Sequence, residues 1–321
     1  MHFREKIVDL SRIDVEEDTF RITTEQKVDD LMRSIKHLGL LNLPIILEKE
    51  TEYTVISGFR RIEACRRLNW HELKTRVMDS NTERLTCVRY AVTDNTFQRP
   101  LNIIEKSKCI MMLSDFYEDL DSLTDALLSL GLFEHPAMIA KIKAVCDMPE
   151  SLKNSMFSNT ISLSMALELA GLSKDAIEGF VDLFNNLKLS LNKQREILKT
   201  VKEIAIREDM SVLQVLEAPY LKNILINKDL DKNQKAHKVR IYLKKRRFPT
   251  VTTTEQSFQK HLRKLNIRKG MELIPPVNFE GSTYTLKLTF KNINDLKDLK
   301  SNFDAFVENP HLKKIFGDPQ F

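Results

Sequence analysis

The sequence predicts a multidomain, mainly α-helical protein, with a small α/β domain first, a helical middle and a small α+β domain last. Three observations carry this. The chain has 321 residues, enough for two or three domains of roughly 100–200 residues each. Gly (8) and Pro (10) are scarce, which argues against turn-rich all-β architectures and for long helices. Strand-like runs fall in the first hundred residues and near 283–291, and helical spacing dominates between them. The expected domains are 1–98, 99–248 and 249–321.

Taken in order, residues 7–14 read as a strand and turn. Residues 24–39 read as a helix with Thr24 as N-cap, Val28, Leu31, Ile35 and Leu38 on one face, and Gly39 as the stop. Residues 44–48 and 52–57 are short β-branched runs, hence strands. Gly58 turns the chain into a helix over 59–69. Residues 73–78 and 85–92 are further strand candidates. From about 99 to 245 the pattern is helical, with Pro136 and Pro149 opening two of the segments. The last unit holds a helix (254–265), a hairpin and a helix (293–308). Its strand alternates Tyr284, Leu286, Leu288 and Phe290 with polar residues.

Composition excludes several classes. With 42% hydrophobic and 30% charged residues, the chain is not wholly disordered. No apolar run reaches membrane-spanning length, and the N-terminus has no signal-peptide core. The four cysteines (65, 87, 109, 146) form no CxxC pair, and the seven histidines form no HExxH motif, so a zinc site is not expected. These features suit a cytoplasmic protein with reduced thiols.

The stretch that carries chemistry is Tyr53 to Trp70. A strand runs into Gly58 and then into a helix that opens Phe59-Arg60-Arg61. A helix N-terminus offers unpaired N–H groups and the positive end of a dipole. Gly58 allows close approach to the backbone, and Arg60 and Arg61 can take phosphate oxygens bidentately. The combination is a phosphate cradle; the plainer alternative is a strand–turn–helix with solvated arginines.

Three motifs in order extend this. Gly58-Phe59-Arg60-Arg61 is preceded by Ser34-Ile35-Lys36-His37-Leu38-Gly39 and then Asn42-Leu43-Pro44. It is followed by Asp94-Asn95-Thr96-Phe97-Gln98-Arg99, then Leu101-Asn102 and Glu105. Over residues 7–108, and more loosely to about 170, this resembles the ParB family of CTP-dependent DNA-partition proteins, with its ParB/sulfiredoxin-like N-terminal fold. The resemblance implies CTP bound by Gly39, Asn42, Gly58, Phe59, Arg60, Arg61, Asn95 and Arg99. It implies Mg²⁺ held by Asp94 and Asn95, whose oxygens suit a hard cation. Arg99 could instead serve a helix–helix contact. It also implies a homodimeric, nucleoid-associated clamp on double-stranded DNA, a ParA-like partner ATPase, and a role in chromosome, plasmid or mobile-element partition. CTP hydrolysis would be the attached enzymatic activity. The turn departs from the family at Phe59, which replaces an acidic residue, and this bears on hydrolysis more than on binding. Two other functions share the resemblance: a transcription or nucleoid regulator without nucleotide switching, and an ATP-dependent small-molecule kinase. A sulfiredoxin-like activity would need a cysteine beside Gly58; Cys65 is expected to pack against the sheet.

Residues 122–146 fall where the family has its helix-turn-helix. Leu123, Ala126, Leu127 and Leu130 would pack the first helix, Gly131 the turn, and 136–146 the recognition helix with Lys141, Lys143 and His135 towards DNA. Charge is unevenly spread. Residues 99–221 carry 13 Lys/Arg and 18 Asp/Glu, whereas 222–270 carry 15 and 3. Phosphate contacts dominate DNA affinity, so the basic segment 232–248 is the expected nucleic-acid contact. Its candidates are Lys235, Lys238 and Arg240, then Lys244, Lys245, Arg246 and Arg247. Val239, Tyr242 and Leu243 would hold that helix to the body. The C-terminal unit could be a cap or a dimerisation module.

Overall fold

The computed structural model describes residues 3–265, 267, 270–279 and 281–316. The chain packs as two compact units, 1–185 and 186–321. It is mainly helical, with a small mixed sheet near the N-terminus and a two-stranded sheet near the C-terminus.

Unit 1 opens with β1 (Arg4–Asp9), β2 (Ile13–Asp14), α1 (Asp29–Leu38), β3 (Ile45–Glu48), β4 (Tyr53–Ser57), α2 (Phe59–Arg67) and β5 (Glu72–Met78). The strands order as β1-β5-β3-β4-β2. β1 and β5 run antiparallel, as do β3 and β4, while β3–β5 and β4–β2 are parallel. Period-two alternation divides the side chains between two cores. Ile46, Tyr53, Val55, Leu73 and Val77 join Val28, Ile35, Phe59, Ile62 and Cys65 from the α1–α2 side. Ile45, Ile56 and Met78 face the other way.

That second core continues through α3 (Arg84–Thr96), α4 (Ile103–Ser114), α5 (Leu120–Ser129) and α6 (Pro136–Lys143). Val88, Ala91, Cys109, Ile110, Leu113, Leu127, Ile139 and Ile142 belong to the same cluster as the sheet residues. The helices therefore pack directly on the sheet. α7 (Glu150–Phe157), α8 (Leu163–Ala170) and α9 (Lys174–Asn185) complete the unit.

Two elements of unit 1 differ from the sequence expectation. Residues 85–92 lie within α3 rather than a strand. Their β-branched content suggests β, but Cys87, Val88, Ala91 and Val92 are buried at helical spacing, and burial of one face overrides weak propensity. The first helix begins at Asp29 rather than near 24. Thr24 caps nothing there: its N–H (2.9 Å) and hydroxyl (3.2 Å) both donate to Glu105 Oε1.

Glu105 is buried, and its surroundings explain how a carboxylate survives there. Arg99 donates to both oxygens (2.7 and 2.8 Å), and the Asn102 N–H donates at 3.1 Å. Asn102 Oδ1 in turn accepts from the Ile104 and Glu105 N–H groups, closing a capping box at the start of α4. Asn102 also donates to Thr24 Oγ1 at 2.8 Å. One carboxylate thus joins the end of α3, the start of α4 and the segment before α1.

Unit 2 contains α10 (Leu191–Arg207), α11 (Val212–Leu216), α12 (Pro219–Ile226), α13 (Lys232–Arg247), α14 (Pro249–Lys264), β6 (Met271–Ile274), β7 (Thr285–Leu288), α15 (Ile293–Val307) and α16 (Pro310–Phe316). β6 and β7 are antiparallel, with Met271 opposite Leu288 and Ile274 opposite Thr285. β7 is shorter than the 283–291 alternation suggests: Leu286 is half-buried, but Leu288 and Phe290 are exposed. Val239 and Leu243 are buried, and Tyr242 stacks on Tyr220 with centroids 4.8 Å apart, as expected of the inward face of α13.

Burial alone would raise the Glu105 carboxyl, but the Arg99 guanidinium and the Thr24 and Asn102 N–H groups hold it below the usual carboxylate range. A depressed native value gives stability that is complete above the unfolded value near ~4.3 and is lost as pH falls through the native one. Arg99→Ala should destabilise unit 1 by about 3 kcal/mol at neutral pH, since it leaves a buried charge unpaired. It should also weaken the acid-side loss of stability below about pH 5. Urea unfolding as a function of pH checks both effects.

Candidate functional site

A cavity of about 320 Å³ opens between α1, α2 and α3. Its lining includes Gly39 and Asn42 from the loop after α1, Gly58, Phe59, Arg60 and Arg61 from the α2 turn, Asp94 and Asn95 at the end of α3, and Arg99 just beyond it. All the residues expected from the three motifs therefore come together. Thr23, Ser34, Ser57 and Gln98 also line it. Ser34 and Gln98 stood within the motifs but without a role, and nothing in the sequence marked Thr23 or Ser57.

The turn at Gly58 has φ +101°, and a Cβ there would lie 2.9 Å from Pro44 Cβ. Glycine is required both for conformation and for the close approach of Pro44. Gly39 has φ +74° and ψ −170°, with open space around it, so only backbone conformation demands glycine at that position. No side chain caps the N-terminus of α2, so its first N–H groups remain available to an anion.

The two arginines differ. Arg61 is held: it donates to the carbonyls of Asn42 (3.0 Å) and Leu43 (3.1 Å), and to Asp94 at 2.8 Å. Arg60 donates to the Lys27 carbonyl at 2.8 Å and lies 3.4 Å from Glu25, but its Nε is buried with no hydrogen-bond partner among the described residues. A buried unsatisfied guanidinium N–H is costly unless something supplies an acceptor. Phe59 is buried in the sheet core with the Arg21 guanidinium 5.5 Å above its ring.

Asp94 does not fit the metal role expected of it. Its Oδ2 accepts from Ser57 Oγ and Arg61, and its Oδ1 accepts from Gln98 at 2.7 Å. Asn95 donates to the Ala91 carbonyl at 2.8 Å, leaving its own carbonyl oxygen as one neutral candidate. Among the described residues no three His, Cys, Asp or Glu side chains group as a metal site. As arranged, Asp94 anchors Arg61. Arg99 is likewise committed to Glu105 and serves the helix–helix junction, the alternative left open by the sequence.

Cys65 is fully buried and its thiol is pushed up to about 11 by that burial. It is a packing residue and not a nucleophile. Cys87, Cys109 and Cys146 are also free thiols.

The helix-turn-helix segment forms as α5, a turn at Gly131 (φ +83°) and α6. Leu123, Ala126, Leu127 and Leu130 are buried beneath it. α6 ends at Lys143 and continues as a 3₁₀ turn over Ala144–Asp147. Lys141 is exposed and Lys143 half-buried. His135 caps α6, its Nδ1 accepting from the Ala137 N–H at 3.2 Å.

In unit 2 the basic helix α13 is less free than its sequence suggests. Arg240 pairs with Glu196 (2.8 Å), Lys244 with Glu255 (3.1 Å), Arg246 with Glu208 (2.6 Å) and Arg247 with Glu203. Lys235 donates to the Leu225 carbonyl at 2.5 Å. Lys238 and Lys245 have no such partner among the described residues. Arg268 and Lys269, counted in the basic segment, lie outside the described residues.

These features define a small mixed-sheet domain with an arginine-lined cavity, packed on a helix-turn-helix. Residues 4–96 match the family model of the ParB N-terminal domain. The chain is 24% identical over 182 residues to the probable chromosome-partitioning protein ParB of Helicobacter pylori, covering 57% of this chain and 61% of the relative. It is 22% identical over 183 residues to the nucleoid occlusion protein of Halalkalibacterium halodurans, covering 56% and 62%. The chain thus spans about three fifths of the length of these curated relatives. The structure of C-terminally truncated ParB from Caulobacter crescentus complexed to the centromeric parS site aligns with 60% of this chain and 97% of that one, at 12% identity and a TM-score of 0.34.

Gly58→Ala should destabilise unit 1 by about 1–3 kcal/mol from backbone strain, with the Pro44 clash adding to it. Gly39→Ala should cost the strain without the clash. Thermal unfolding of the two variants side by side tests whether Gly58 has both roles.

Proposed function

We propose that this chain is a ParB-like DNA-binding protein of the partition or nucleoid-organising class, whose N-terminal cavity binds a nucleoside triphosphate, with CTP as the expected ligand. The observation that carries the cavity reading is the unpartnered Arg60 Nε beside the uncapped N-terminus of α2. Both are donors awaiting an acceptor, and a triphosphate supplies several. The phosphates would lie over Gly58–Arg61, and the loop at Gly39–Asn42 would face the base. Asn95 would add a neutral polar contact. Arg61 is preset by Asp94, so its guanidinium is oriented before any ligand arrives.

DNA would be bound through α5–α6, with Lys141 and Lys143 on the second helix, and through basic residues of unit 2. Names of the relatives support the class: one is a chromosome-partitioning protein and the other a nucleoid occlusion protein. A homodimer, and a ParA-like ATPase as partner, belong to the same proposal. The shared core offers a physical route between the two activities. α3 lines the cavity at its C-terminal end, and α3 to α6 pack as one cluster with the sheet. A ligand that moved Asp94–Arg99 would act on the helices that carry the helix-turn-helix.

A small-molecule kinase would need a carboxylate free to take a proton from its substrate. Asp94, the one acidic residue lining the cavity, is committed to Ser57, Arg61 and Gln98, which favours the binding reading.

Isothermal titration with CTP, ATP and GTP tests this. CTP should bind, and Arg60→Ala should weaken it roughly tenfold or more, the loss of one charge-assisted hydrogen bond at about 1.5–3 kcal/mol. Absence of heat with every nucleotide, from a folded protein, would remove the nucleotide reading.

A further inference from the structure

Ion pairing sorts the cations of unit 2 into two sets. Arg240, Arg246 and Arg247 are neutralised by glutamates of α10 and of the turn that follows it. Four unpaired cations gather instead in a groove of about 670 Å³ between α13 and α14. Lys245 lines it from α13, and Lys260, Arg263 and Lys264 line it from α14. None of these four has an ion-pair or hydrogen-bond partner among the described residues, and all are exposed. Lys244 also lines the groove, paired to Glu255, its one acidic residue.

Cations in the last turn of a helix complement its dipole, and both helices end this way. The dipole explains why the residues are basic. It does not explain why cations of two helices line the same groove. Thr252, on the same groove, has a buried hydroxyl with no hydrogen-bond partner among the described residues. Five cations against one carboxylate make a strongly positive channel, and the donors are mostly lysines, which meet phosphates as point charges without geometric selectivity.

We infer that the α13–α14 groove is a sequence-independent binding site for the phosphate backbone of nucleic acid. Its α14 wall, Lys260, Arg263 and Lys264, is then as important as the denser basic run on α13. This rests on the DNA-binding reading above and adds where the electrostatic affinity comes from, since residues 99–221, which hold the helix-turn-helix, are net acidic.

The test is fluorescence anisotropy of the full chain with a labelled duplex of arbitrary sequence, between about 50 and 200 mM salt, where log affinity falls by ~0.9 per phosphate contact for each log unit of salt. Lys260→Gln/Arg263→Gln/Lys264→Gln should reduce that slope by about 2–3. Lys297→Gln/Lys300→Gln, in the same unit but outside the groove, should leave it unchanged. Lys260→Arg/Lys264→Arg should preserve it, because the charge remains. An unchanged slope in the triple glutamine variant, with wild type binding normally, overturns the groove while leaving the DNA-binding reading intact. An equal loss in the Lys297/Lys300 variant also overturns it, because the effect is then general charge. No duplex binding by the wild-type chain overturns both.

Discussion

A carboxylate removed from water must be neutralised or protonated, and unit 1 is organised around how Glu105 meets that requirement. Arg99 neutralises it, the Thr24 N–H and hydroxyl supply two further donors, and the Asn102 N–H supplies another. The donors come from the segment before α1 (Thr24) and from the α3–α4 connection (Arg99 and Asn102). Satisfying one charge therefore fixes the end of α3, the cap of α4 and the approach to α1 together. These are the segments that shape the cavity on one side and carry the helix-turn-helix on the other. A buried ion pair is weak evidence of net stability. Here its consequence is geometric, since it leaves Arg99 unavailable to a ligand and holds Thr23 at the cavity wall.

The same logic governs the other arginines. Partners decide what a cation can do, and partners are distributed by the fold. Arg61 is locked by Asp94 and two carbonyls, whereas Arg60 keeps a buried N–H without an acceptor. In unit 2, α13 has the densest charge in the chain, yet much of it is spent on glutamates that sequence distance had separated from it. The modest formal charge of +5 thus hides two levels of sorting. Charge is first concentrated in one segment and then redistributed by pairing, which leaves four unpaired cations of α13 and α14 together on one groove.

Much of the α/β domain was legible from the sequence because its strands are short, alternating and punctuated by glycine. Gly58, Gly39 and the arginines could be placed for the same reason: φ > 0 turns and helix starts leave local signals. Residues 85–92 misled because a buried helix and a strand can share a β-branched composition over eight residues. The N-cap at Thr24 misled because a tertiary acceptor, Glu105, lies 81 residues away. The commitment of Asp94 to Arg61 and of Arg246 to Glu208 was likewise beyond sequence reasoning, which finds charged residues but not their partners.

The nucleotide site proposed at the α2 turn requires that this segment, and not another surface, responds to CTP, and that the shared core carries the response towards α4–α6. Hydrogen exchange of the full chain with and without CTP measures this most directly. Protection should rise at 58–61 and 94–99, with a smaller change in α4 through α6. An unchanged 58–61 segment under saturating CTP, or protection confined to unit 2, would contradict it.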